Sequence, residues 1–389
     1  MMLTKIIPPL TAFFIFISAL PTLAGARVDI GRGSYIDLGF RLHTMFILDD
    51  SSSDYDNWQV RQARLRMKGV LNKYMTAFIQ TEAAEENMII LDAIAGLTLH
   101  PLFNFYAGKN MAPASRQNLT SSHAMLAMER PAISHKTITW GARAVPIYDP
   151  SGYINPGLND SIDNRDTGIT AHGYNQIFSG MHFKYYLGFY EGIQMPKTEE
   201  GSGENKKRYT GRVQINLFDP EDQYYNLSNY LGRKKTIALG LSYDRQNSVA
   251  STSSWKNYRF RTVDIFTEMP IGPGSLSFEY AYQELRLGGS EDFGHWENGS
   301  GYATGKEASG TGYYVQTGYF VKNFQPWLLY ENWESDAGNT GSFYSIRGGI
   351  SIFIMDHNAK VKFGVEYFSP EAKGEDSVFA AMTGFYAQY

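Results

Sequence analysis

Between Trp58 and Glu82 the chain reads WQVRQARLRMKGVLNKYMTAFIQTE, and its polarity alternates residue by residue. Over Gln62–Gly69 the polar series Gln62, Arg64, Arg66, Lys68 interleaves Ala63, Leu65, Met67, Gly69. An extended strand therefore puts three cations on one face and small or apolar groups on the other. A helix turning about 100° per residue would scatter Arg64, Arg66 and Lys68 around its cylinder and leave no continuous apolar stripe. After Leu71-Asn72-Lys73 the alternation resumes, with Met75, Ala77 and Ile79 set against Thr76, Phe78, Gln80 and Glu82. The stretch predicts a hairpin with one wet face and one greasy face.

The rest of the chain favours strands as well. Its 389 residues include 27 Tyr, 24 Phe, 6 Trp and 38 Gly, a usage that suits many strands, tight turns and interfacial aromatics. A formal charge of −4 gives no general attraction for nucleic acid, so any attraction for anions must be local. With no cysteine there is no disulfide, thiolate metal site, cysteine nucleophile or covalent haem, and no cofactor is expected. At the N-terminus Lys5 precedes an apolar run from about Leu10 to Leu20, then Thr22-Leu23-Ala24-Gly25-Ala26, which predicts a signal peptide over residues 1–26 cleaved after Ala24 or Ala26. That run is shorter than the roughly 20 apolar residues of a membrane helix, and no second one follows. Residues 27–389 can span a membrane only as a closed barrel.

Taken in order, Ser34–Phe46 alternates Ile36, Leu38, Phe40, Leu42 against Asp37, Gly39, Arg41, His43. Two acidic loops, from Asp49 and from Ala83, lie at the same end and are expected to be extracellular, because connections at the other end are short. Strands follow near Ile90–Leu99, with Leu91, Ala93, Ala95, Leu97 and Leu99 on one face, and at Asn104–Lys109. From Met111 to about Asp166 alternation fades and Pro113, Pro131, Pro146, Pro150 and Pro156 appear, predicting loops and an inward-folded segment. HFKYYLGFYEG and RYTGRVQINLF restore the pattern, the latter setting Arg212, Gln214 and Asn216 against Val213, Ile215 and Leu217. Further strands are expected at Thr236–Asp244, Arg259–Glu268, Leu276–Glu284, Gly312–Val321, Trp327–Trp333, Phe343–Phe353, Ala359–Phe368 and Val378–Tyr389. At roughly 22 residues per strand and turn this makes an all-β, transmembrane antiparallel β-barrel of about sixteen strands.

The basic row Arg64, Arg66, Lys68 has two readings: an anion-attracting ladder, or an ordinary wet wall whose charges pair with Asp37, Asp264, Glu268, Glu279 and Glu366. The histidines His43, His100, His123, His135, His172, His182, His295 and His357 show no metal-binding spacing, and no catalytic constellation is expected. Lys206-Lys207-Arg208 and Arg233-Lys234-Lys235 adjoin strand ends, where contact with lipopolysaccharide or plain solubility accounts for them as well as substrate capture does.

The segments VRQARLRMKGVLNKYMTAFIQTE, LFNFYAGKNMAP, LTSSHAMLAMERP, DTGITAHGY, GYYVQTGYFV and ISIFIMDHNAKVKFGVEY resemble, in order, the phosphate-selective porin O and P family. The resemblance implies a sixteen-stranded outer-membrane barrel, commonly trimeric, that passes anions through a lumen lined with arginine and lysine. It puts Arg61 and Arg64 at the paired-arginine positions of the second strand and Lys360 and Lys362 in the penultimate-strand pattern. It also shows a departure, Leu329, where the family often carries arginine before Tyr330. The candidate channel-lining set is Arg41, Arg61, Arg64, Arg66, Lys68, Arg212, Arg347, Lys360 and Lys362. The expected function is passive diffusion of small, phosphate-like anions across the outer membrane, without catalysis. The alternative makes the barrel a structural sheath around a partner such as a multihaem cytochrome.

Overall fold

A computed structural model of the chain describes residues 26–49, 57–83, 88–135, 165–192, 206–250, 255–287, 309–336, 338–371, 373–374 and 376–389. The expected leader lies outside these apart from Ala26, as do most of the two acidic loops. Alternating segments form β1 (Ala26–Gly31), β2 (Ser34–Asp49), β3 (Asn57–Val70), β4 (Met75–Glu82), β5 (Ile89–His100), β6 (Phe103–Met111), β7 (Arg165–Phe178), β8 (Met181–Tyr190) and β9 (Arg208–Phe218). They continue as β10 (Thr236–Ala250), β11 (Trp255–Ile271), β12 (Gly274–Leu287), β13 (Gly310–Phe320), β14 (Phe324–Ser335), β15 (Gly338–Met355), β16 (Ala359–Pro370) and β17 (Val378–Gln388). From β2 onward each strand pairs antiparallel with the next, and β17 pairs with β2 from Gln388 opposite Arg41 to Ala380 opposite Asp49. Sixteen strands thus close a ring with no free edge. The seventeenth, β1, pairs with Ser34–Leu38 of β2, beyond the point where β17 ends.

Alternation decides which way each side chain points. Leu38, Phe40, Leu42, Leu65, Met67, Leu239, Leu241 and Val263 stand exposed on the outside, while Arg41, His43, Arg212, Gln214, Asp264 and Glu366 are buried inside. Among the register shifts of the described strands, two β-bulges change which face a candidate residue takes. His43 pairs with Gln62 and Thr44 with Val60, so Arg61 is the extra residue and both it and Gln62 reach inward. A second bulge between Ile90 and Asp92 buries Leu91 and exposes Ile90, which corrects the expectation that Leu91 shares the outer face of Ala95 and Leu97. Strand β7 lacks a clear alternating signal in the sequence, and it completes the pairing between β6 and β8.

Connections at one end are brief, such as residues 71–74, 101–102, 179–180 and 272–273. Residues 219–235 are the exception at this turn end. They fold back into the lumen, as residues 112–133 do from the long-loop end. The latter segment carries one α-helical turn, α1 (Arg116–Leu119), whose N-terminal Ser115 side chain accepts the Asn118 N–H at 3.0 Å. Apolar side chains seat the segment on the inner wall: Leu126, Ala127 and Met128 pack on Met45, Ile47, Trp327, Leu329 and Met382, while Ala132 and Ile133 pack on Tyr258, Phe260, Tyr314 and Trp333.

Candidate channel-lining site

The inner wall is divided by charge. On β9 to β15 the inward cations are matched with carboxylates. Arg212 makes a bidentate pair with Asp264 at 2.5 and 2.8 Å, and both side chains are fully buried. Arg208 pairs with Asp244 at 2.7 Å and Asp166 at 3.3 Å, and Arg347 pairs with Glu331 and lies 3.6 Å from Glu366. Arg208 therefore belongs to the inner wall and not to a surface basic triplet. Across the lumen Arg116 of α1 reaches Glu221 of the turn-end segment at 2.7 and 2.8 Å, which ties the two inward segments together. Burial alone would raise the Glu221 carboxyl, but the Arg116 charge and hydrogen bonds outweigh it and hold Glu221 at about 2.

On β2, β3 and β16 the arrangement differs. Arg61 pairs with Glu129 at 3.0 Å and Arg64 with Glu82 at 2.5 Å. Arg41 donates to Ser122 Oγ at 2.7 Å and contacts His123 Nδ1 at 3.0 Å. Lys362 donates to the carbonyls of Met125, Leu126 and Ala127 at 2.7, 3.0 and 2.8 Å, and Lys360 donates to the carbonyl of His123. Arg66 lies over the Phe78 ring at 5.7 Å, and Lys68 is exposed beside it. Among the described residues, Arg41, Arg66, Lys68, Lys360 and Lys362 form no ion pair with a carboxylate. For Arg41, Lys360 and Lys362, carbonyl, hydroxyl and imidazole acceptors take the donors without cancelling their charge.

The nine residues singled out in the sequence thus fall into three groups. Arg41, Arg61, Arg347, Lys360 and Lys362 grip residues 122–130 of the inward segment, with Arg347 donating to the Arg130 carbonyl at 2.9 Å. Arg64 and Arg212 pair within the wall. Arg66 and Lys68 remain on the inner face toward the turn end. Leu329, where arginine was expected by resemblance, packs with Leu126 and Trp327 and makes that part of the wall apolar.

Two features escape a reading of the sequence alone. His123 and His357, far apart in the chain, meet edge to face at 5.8 Å between Arg41 and Lys360. Burial, reinforced by Arg41 and Lys360, holds the His123 imidazole well below its usual range, so it is neutral. The other is the 219–235 segment, whose Tyr224 packs on Tyr186 and donates to the Met111 carbonyl at 2.7 Å. Its length between two plain strands, with Pro220 and a Tyr-Tyr-Asn run, was the available signal.

Comparison with known proteins supports this architecture. The solved structures include an anion-selective porin from Comamonas acidovorans, with a TM-score of 0.58 at 12% identity over 92% of this chain and 100% of that one. OmpF of Salmonella typhi in complex with daunomycin gives 0.57 at 14% identity over 94% and 100%. The trimer form of OmpT from Vibrio cholerae gives 0.51 at 11% over 91% and 99%. At these identities the likeness is one of fold. An uncharacterized protein of Aquifex aeolicus (strain VF5) is 24% identical over 299 residues, 73% of this chain, and the chain spans 64% of that protein's length. The family model for phosphate-selective porin O and P matches residues 36–334. With a closed sixteen-stranded wall and that match over most of its length, the chain belongs to the phosphate-selective porin O and P family of outer-membrane β-barrels.

Proposed function

We propose that the protein is a diffusion channel of the outer membrane that favours small anions, phosphate-like ones among them. The observation that carries this reading is the group Arg41, Arg66, Lys68, Lys360 and Lys362, whose charges face the inside of the barrel with no carboxylate in ion-pair contact among the described residues. Cations along a narrow wet wall lower the barrier to anions, and acceptors that are themselves uncharged leave that potential in place. The sheath reading has less support, because residues 112–133 and 219–235 occupy the space in which a partner would run. A homotrimer is proposed on the likeness to the trimeric Vibrio cholerae protein and on the flat outer row Gly69, Ala77, Ala95 and Ala107, directly paired across β3 to β6.

Reversal potentials in a salt gradient test the reading, using the purified protein in planar bilayers at low ionic strength, where charges remain unscreened over about 30 Å at 0.01 M. Wild type should favour anions, and Arg66→Gln/Lys68→Gln should move the potential toward cation permeability. A conducting wild type with no anion preference would overturn the selectivity. A folded barrel that conducts nothing would overturn the channel itself.

A further inference from the structure

The outside of the barrel carries a basic feature that the lumen does not explain. Near the long-loop end, Arg245 of β10 lies directly opposite Arg259 of β11, and Arg259 directly opposite Arg286 of β12. All three alternate with buried inner residues such as Asp244, Tyr258 and Leu285, so they point outward. Arg261, one step nearer the midplane, stands opposite Tyr243 and Glu284, with its guanidinium 5.7 Å from the Tyr243 ring centre. Like charges directly opposite on a sheet repel and cost stability.

Among the described residues, carboxylates do not balance this row. Glu284 serves three arginines at once, at 3.7 Å from Arg259, 3.8 Å from Arg261 and 3.1 Å from Arg286, and Asp336 reaches Arg286 at 2.5 Å. Arg245 forms no ion pair among the described residues, and the Nε of Arg259 is buried without a hydrogen-bond partner. Glu334, two strands beyond Glu284, faces outward but forms no ion pair with the row.

Height on the wall indicates what could supply the missing negative charge. Toward the midplane the same strands expose Leu239, Leu241 and Val263, and Tyr209 lies directly opposite Arg245. Outward tyrosines above an apolar band mark the headgroup level of a membrane. Arginine forks at that level match phosphate oxygens in pairs. We propose that Arg245, Arg259 and Arg286, with Arg261 below them, bind the phosphate groups of membrane lipid in the leaflet at the long-loop end. In an outer membrane that lipid is the phosphorylated glycolipid of the outer leaflet. The two basic triplets are separate from this row, since Arg208 points into the lumen, Lys207 pairs with Glu191, and Arg233–Lys235 lies at the opposite end. The proposal does not depend on which solute crosses the lumen.

The test extracts the full-length barrel from its outer membrane in mild detergent and measures the bound phosphorylated glycolipid per chain. Near a charged leaflet each arginine is worth about fivefold in binding, so Arg245→Gln/Arg259→Gln/Arg286→Gln should retain at least about tenfold less. Heat-modifiable migration and reversal potential should remain those of wild type. Equal retention by wild type and variant overturns the proposal. So does displacement of the lipid by inorganic phosphate at equal phosphate concentration, which would make the row a free-anion site. Should the triple variant fail to assemble, Arg245→Gln alone, which leaves the Glu284 and Asp336 contacts intact, should lower retention about fivefold. Unchanged retention in that variant overturns the proposal equally.

Discussion

Replacing Lys362 by methionine keeps most of its volume and removes one ammonium that holds three carbonyls of the inward segment. Hydrogen bonds to a charged donor contribute about 1.5–3 kcal/mol each, so the gross loss is several kcal/mol. Against it stands the cost of burying the ammonium, also several kcal/mol, which disappears with the lysine. Water entering the lumen can serve the freed carbonyls, so the net cost of Lys362→Met to the docked segment should be about 2–4 kcal/mol. This corresponds to a roughly 30- to 700-fold increase in the fraction of time the segment is released. Because the chain has no cysteine, a single reporter is clean: Ala127→Cys, on the segment itself and buried against the inner wall, reacts with a thiol reagent only on release. Labelling should speed up by that factor in Lys362→Met and stay near the parent rate in Lys362→Arg, while the barrel still migrates as folded. An unchanged labelling rate in Lys362→Met would refute the idea that this lysine anchors the segment.

Other perturbations read other parts of the molecule. Leu65 is 59% exposed on the outer face, so Leu65→Arg should cost about 2–4 kcal/mol near the midplane and lower the yield of assembled barrel, scored by heat-modifiable migration. Arg212→Gln strands a buried Asp264 and should destabilise by about 3–5 kcal/mol in urea unfolding, with much of the loss recovered in Arg212→Gln/Asp264→Asn. Glu221 has its pKa lowered from 4.5 to about 2, so its contribution is complete above 4.5 and is lost as the pH falls from there through 2. Protease cleavage within residues 219–235 should therefore stay low from neutral pH down to 4.5, rise below it, and lose that pH dependence in Glu221→Gln.

The wall was legible in the sequence because a period of two residues survives wherever one face meets lipid and the other meets water. Strand β2 is an example: Ile36, Leu38, Phe40 and Leu42 could be assigned to the outside without knowing any neighbour. Where the period fails, so does the reading. In β7, Gly168 and Gly173 blur the contrast between faces, and at Leu91 a bulge turns the side chain over. The inner cations were legible by face but not by partner. Lys362 looks the same in sequence whether it meets water, a carboxylate or the backbone of Met125–Ala127, more than two hundred residues earlier. The turn-end segment was the least legible, since what draws it inward is Glu221 finding Arg116, 105 residues away, and Tyr224 finding Tyr186.

The placement of β1 has a practical consequence for anyone extending this chain. Along one edge of β2, β17 occupies the positions from Asp49 to Arg41 and β1 those from Leu38 to Ser34, and Tyr389 sits between them with its N–H on the Phe40 carbonyl at 3.0 Å. A side chain at Gly39 would run into the Tyr389 backbone oxygen, so the seam is filled to the last residue. A C-terminal affinity tag has no vacant template along which to continue and must turn off the wall where it leaves Tyr389.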